Sequence, residues 1–138
     1  MSNQRFDERQ QYTNYKLSHH ALIIVFALLI INGLFKSNFN VQWAEPMSEM
    51  IVLIVIPGIY YITRAIVSDS YVGLHENLKT NVFVFLFLGA LFTAIFINSE
   101  GALLENGLSD NAVPLIAGIY FIYIGALHVI KYTLIDNK

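Results

Sequence analysis

Ala21-Leu22-Ile23-Ile24-Val25-Phe26-Ala27-Leu28-Leu29-Ile30-Ile31-Asn32-Gly33-Leu34-Phe35 is the stretch that decides the fold. It carries no charge, and eleven of its residues are Leu, Ile, Val or Phe. On an insertion scale such a run gains on the order of 3 to 7 kcal/mol at the bilayer centre, ample to insert. A helix of a soluble bundle would keep a polar face, and this run has none. With the less polar residues 17–20 before it, the run is long enough to cross about 30 Å at about 1.5 Å per residue.

Three further runs repeat the pattern. The second, 50–63, is extended by 46–49 and 64–67, the third covers 80–98 and the fourth 112–130. The expected spans are therefore about 19–35, 47–67, 80–98 and 112–131, behind a segment 1–18, all in one transmembrane domain covering 1–138. Composition agrees: the chain is 56% hydrophobic and 13% charged, against about a quarter charged in a soluble domain. Pro46 suits a first helical turn, with Glu49 near the positive end of the helix dipole. Asp110 or Asn111 is expected to cap the fourth helix just before Pro114. Trp43, Tyr71 and Tyr132 read as interfacial anchors. Around residues 31–35 there is no A-x-A-like cleavage site, so the first run is expected to remain as a span.

Charge gives the orientation. Of the 8 basic residues, Arg5, Arg9, Lys16, Arg64, Lys79, Lys131 and Lys138 fall on one side of the spans, and only Lys36 falls on the other. The positive-inside rule then places both termini in the cytoplasm. Short connections force neighbouring helices to alternate in direction. The expected fold is an all-α membrane protein, four transmembrane helices in an up-down antiparallel bundle in the cell membrane. A net charge of −2 does not support direct nucleic-acid binding. With no cysteine, thiolate metal sites, disulfides and thiol redox chemistry are excluded.

The second and fourth runs share a pattern sixty residues apart. Ile56-Pro57-Gly58-Ile59-Tyr60-Tyr61-Ile62 stands against Ile116-Ala117-Gly118-Ile119-Tyr120-Phe121-Ile122, and Ala65 against Gly125. Two duplicated helical hairpins would produce this, and so would coincidence in a small apolar alphabet. The small residues Gly58 and Ala65, and Gly118 and Gly125, each lie seven apart, so each helix carries a small-residue stripe. Close backbone packing of the second helix on the fourth is the expected consequence. A ligand cavity lined by Tyr60, Tyr61, Tyr120 and Tyr123 is the alternative. Pro57 is expected to kink the second helix.

Candidate chemistry is sparse. Arg64 is the one basic residue within reach of the hydrocarbon, and snorkelling of its head to the interface outweighs a substrate or lipid-headgroup site. His19, His20, His75 and His128 gather at the cytoplasmic end, yet none are spaced as HxxxH, and interfacial histidines without metal are the expectation. The loop 98–111 holds Glu100, Glu105 and Asp110, and its Gly101 and Gly107 suggest a mobile solvated loop rather than a cation site. No nucleophile–base pair, phosphate loop or HExxH motif occurs, so no enzyme and no cofactor is expected.

The segment before the first span contains Phe6-Asp7-Glu8-Arg9-Gln10. Read as a helix, it aligns Phe6, Thr13 and Leu17 roughly along one face, for docking on the membrane or a partner, or else it is a solvated tail. The Asp7-Glu8-Arg9-Gln10 tetrad, the four spans and the Tyr61-Ile62-Thr63-Arg64 end of the second resemble a family of small uncharacterised four-helix membrane proteins of Gram-positive bacteria. Genes of that family often neighbour those of small helix-turn-helix regulators, and the resemblance implies a membrane partner of a cytoplasmic regulator. It brings no catalytic residues. The expected function is a non-enzymatic interaction or regulatory partner that works through residues 5–16, 68–79 and 132–138, with Phe6, Asp7, Glu8, Arg9 and Arg64 as candidate contacts. The expected partners are the bilayer and a cytoplasmic regulator or membrane subunit, and a homo-oligomer is compatible. A small transporter or immunity-type protein, binding an apolar or cationic compound among the tyrosines, is the alternative.

Overall fold

The computed structural model describes residues 7–71, 78–99, 101, 103, 104 and 107–134. It is all-helical, with α1 (Glu8–Phe39), α2 (Pro46–Val67), α3 (Leu78–Ile97) and α4 (Val113–Leu134), the last entered through a 3₁₀ turn at Asp110–Ala112. All four helices are long and apolar enough to cross a membrane.

α1 departs from expectation. Its 32 residues form one helix that begins at Glu8, so most of the segment expected ahead of the first span belongs to the helix itself. At about 1.5 Å per residue it is about 48 Å long, well beyond the hydrocarbon thickness of about 30 Å. A reciprocal cap starts it: the Gln10 amide N–H donates to Asp7 Oδ1 at 2.6 Å, and the Asp7 N–H donates to Gln10 Oε1 at 3.1 Å. No Gly or Pro interrupts residues 8–32. Asn40 ends the helix in the left-handed region, φ 52°, which asparagine tolerates better than most residues.

α2 carries Pro46 in its first turn, runs unbroken through Pro57, and closes on the Ser68 N–H, which donates to the Arg64 carbonyl at 3.0 Å. Asp69, at φ 59°, then turns the chain.

The main helix packing follows the order α1–α2–α4–α3, with α3 and α4 the most extensively joined pair. A Cβ at Gly118 would lie 2.7 Å from Thr93 Oγ1 and 3.2 Å from the Gly89 carbonyl, so α3 and α4 approach backbone to backbone there. An aromatic ladder continues the seam: Phe92 on Phe121 (5.7 Å), Phe121 on Phe85 (6.3 Å) and Phe85 on His128 (5.6 Å). α2 meets α4 differently. The Tyr120 hydroxyl lies over Gly58, and Tyr123 and Thr63 share a hydrogen bond at 2.8 Å.

This corrects the expected glycine-to-glycine contact of α2 with α4. Gly118 and Gly125 face α3, where Gly89, Thr93 and Leu86 fill the space, while Gly58 receives a tyrosine from α4. The sequence repeat therefore does not extend to packing, because corresponding glycines have different neighbours.

Large apolar side chains face outward along α1 and α3, among them Phe26, Ile30, Phe83 and Phe87. Such a surface suits lipid rather than water. Polar groups gather at the two ends of the helix set. The start of α1 meets the end of α2 and the end of α4 at a basic end. The end of α1 meets the start of α2 at an acidic end, and the turn leading into α4 joins that start of α2.

Candidate functional site

At the basic end, the start of α1 docks on the turn that follows α2. Gln10 Nε2 donates to the Asp69 carbonyl at 2.6 Å, Asn14 Nδ2 donates to the Ser70 carbonyl at 2.8 Å, and the Arg9 guanidinium reaches the Ser68 carbonyl at 3.4 Å. From the other side Lys131 pairs with the Asp69 carboxylate and donates to the Ile66 carbonyl at 2.6 Å. Gln10 and Leu17 are buried. With Asn14 they sit at i, i+4 and i+7, one face of a helix.

This revises the reading of the tetrad. Asp7 and Gln10 cap α1, and Gln10 and Arg9 hold the chain's own turn, while Glu8 is exposed. The docked face among the described residues is Gln10–Asn14–Leu17, and Thr13 lines the neighbouring cleft instead. Phe6 lies outside the described residues, as do Arg5, His75, Glu100, Glu105, Lys138 and the Tyr132 side chain. The capping pattern, an Asp with a Gln three residues on, was a readable signal for the helix start.

Beside this dock, α1 and α2 splay to form a cleft of about 430 Å³. α1 lines it with Tyr12, Thr13, Lys16, Leu17 and His20, residues on one helical face. α2 lines it with Tyr60, Arg64, Val67 and Ser68, spaced 4, 3 and 1 and so also on one face. His20 Nδ1 and the Tyr60 hydroxyl share a hydrogen bond at 3.1 Å across it. No acid lines the cleft, and among the described residues neither Lys16 nor Arg64 has an acidic partner.

The acidic end is closed by its own side chains. Glu49, at 8% exposure, accepts from Asn32 Nδ2 at 2.5 Å and pairs with Lys36, and the Trp43 indole N–H donates to Asn32 Oδ1 at 2.7 Å. The Ser48 N–H donates to Asp110 Oδ1 at 2.8 Å, the Asp110 N–H to Glu45 Oε2 at 2.6 Å, and the Ser48 hydroxyl to the Ser109 carbonyl at 2.6 Å. Asp110 thus caps α2 rather than its own helix, because the loop carries it across to the Pro46 turn. Backbone bonds pin that loop: the Leu108 N–H donates to the Trp43 carbonyl at 2.9 Å, and the Glu45 N–H to the Leu108 carbonyl at 2.8 Å. Gly107 has φ 128°, and a Cβ there would strike the Trp43 carbonyl. The expected mobile loop is fixed over this stretch. An open hollow of about 420 Å³ lies nearby, and Lys36, its one charged lining residue, is already paired.

The remaining candidates disperse. Tyr60 belongs to the cleft, whereas Tyr120 covers Gly58, Tyr123 bonds Thr63, and Tyr61 is half-buried. His128 is enclosed by the protein. It is 1% exposed, shares a hydrogen bond with the Ile124 carbonyl through Nδ1 (2.8 Å), stacks on Phe85 and takes Tyr71 edge-on. Among the described residues no group of three or more His, Asp or Glu side chains is placed to hold a metal ion. The missed residues, Asn32 with Lys36 and Glu49, did leave a trace: Asn32 and Lys36 are four apart on one helix face.

Four apolar helices, polar groups at both ends and apolar flanks together define the class as a multi-pass membrane protein. The chain belongs to a family of unknown function, DUF6773, which it matches over residues 1–135. No curated protein and no solved structure matches it.

Proposed function

We propose that the chain is a non-enzymatic bacterial inner-membrane protein, arranged as an up-down antiparallel bundle with both termini cytoplasmic, and that it acts as an interaction or regulatory partner through its cytoplasmic face. The observation that carries this reading is the projection of α1: a helix of 32 residues exceeds what the hydrocarbon needs by about three turns. Arg9 and Lys16 in the projecting turns support a cytoplasmic side for it under the positive-inside rule. The projecting turns are held against the chain's own turn on the Gln10–Asn14 face, while Tyr12 and Tyr15 stand 70% and 76% exposed. Exposed aromatic residues on a rigid support are what a protein contact needs, since little side-chain entropy is lost on binding.

Photo-crosslinking in cells from positions 9 and 15 tests this. A discrete protein adduct from these positions, absent from a probe at position 30 among the lipid-facing residues, is the expected result. Lipid adducts alone would contradict it. An adduct of twice the chain mass would identify the partner as a second copy.

A further inference from the structure

We propose that the cleft between α1 and α2 is a binding site for a phosphate group. The walls combine two cations with hydroxyl-bearing and apolar side chains and include no acid. Lys16 and Arg64 enter from opposite helices, and Tyr12 lines the cleft with them, while the Ser68 hydroxyl is already engaged with the Arg64 carbonyl at 2.7 Å. Two cations in one hollow with no acid repel each other, so a bound anion relieves repulsion as well as forming charge-assisted hydrogen bonds. The helix faces that bring them together are fixed from outside the cleft by Gln10 and Asn14 on the turn after α2, so the site is preorganised. A guanidinium and an ammonium together suit a phosphate, whose oxygens accept from several directions.

Depth matters too. Arg64 lies in the last turn of α2, and toward the acidic end the two cleft faces continue into exposed Ile23, three residues on from His20 in α1, and exposed Ile56, four residues before Tyr60 in α2. A phospholipid phosphate seated between Lys16 and Arg64 would leave its acyl chains along that apolar surface. A soluble phosphate compound would use the same cations without the tail. The site adjoins the proposed partner surface through Tyr12, but its two cations, Lys16 and Arg64, bind a phosphate without a protein partner.

The test uses the full chain in lipid nanodiscs or mild detergent, with phosphatidylglycerol and inorganic phosphate as separate probes and phosphatidylcholine as the reference lipid. Native mass spectrometry reads lipid retention, and titration reads phosphate. Retention of phosphatidylglycerol above phosphatidylcholine, reduced roughly tenfold by Lys16→Gln or Arg64→Gln, is the expected result. Competition by millimolar inorganic phosphate would assign the site to a soluble phosphate, and its absence to the lipid. Unchanged retention and unchanged phosphate binding in Lys16→Gln/Arg64→Gln overturns the proposal. An equal loss in Lys79→Gln, a basic residue outside the cleft, also overturns it, since bulk charge would then explain the attraction. Lys16 is exposed and holds no intramolecular partner among the described residues, so Lys16→Gln alone remains informative if the double variant fails to fold.

Discussion

The two ends of the helix set handle charge in opposite ways. At the acidic end Glu45, Glu49 and Asp110 are each engaged by a lysine, an asparagine or a backbone N–H of a neighbouring segment. At the basic end Lys131 and Arg9 are engaged in the same manner, but Lys16 and Arg64 face open space. One end is a closed network that joins three segments. The other combines a clamp with a pair of cations that have no acidic partner among the described residues. Charge with a partner inside the chain supports the fold, and charge without one is available for recognition.

The contrast is broken most directly at Glu49. Glu49→Ala leaves the Asn32 amide without its acceptor and the half-exposed Lys36 ammonium without its partner, and is expected to cost about 2 kcal/mol. Reversible unfolding in a defined detergent measures it, and a cost near zero would remove the distinction between the ends. Lys131→Met comes next, at about 1 to 2 kcal/mol, since it frees the Asp69 carboxylate and the Ile66 carbonyl. Faster hydrogen exchange at residues 68–70, with residues 45–49 unchanged, would localise that loss to the clamp. Asp7→Ala removes the reciprocal cap and should cost about 1 kcal/mol, with fraying confined to the first turn of α1. The smallest effect is expected for Arg64→Gln, within about 0.5 kcal/mol of the parent. A large loss there would mean that Arg64 supports the fold.

The sequence located the four apolar helices, because an uncharged run of the length of 21–35 has few alternatives, but α1 begins at Glu8, well ahead of the expected 19. α2 and α3 begin and end close to the expected 47–67 and 80–98. What it did not yield are the relations between helices. Which neighbour Gly118 faces depends on rotation about the helix axis, and two apolar faces look alike in composition. Glu49 with Lys36 pairs residues thirteen apart across a turn, and only the arrangement of α1 on α2 brings them together. His128 sits near the end of a span where an interfacial position was expected, yet aromatic neighbours from α3 and the preceding turn enclose it. The cleft was half-visible: Arg64 stood out as a charge near the hydrocarbon, but its companion Lys16 belonged to a segment not expected to continue α1.

The most direct test of the division between the ends is thermal unfolding of three proteins in two lipids. The parent chain, Glu49→Gln and Lys16→Gln/Arg64→Gln are melted in phosphatidylcholine and in phosphatidylglycerol nanodiscs, where ligand binding to the folded state appears as a rise in Tm. Glu49→Gln should melt lower in both lipids and keep the rise given by phosphatidylglycerol. The double variant should melt with the parent in phosphatidylcholine and lose that rise. A double variant that keeps the full rise, or a Glu49→Gln protein that melts with the parent, would contradict the account.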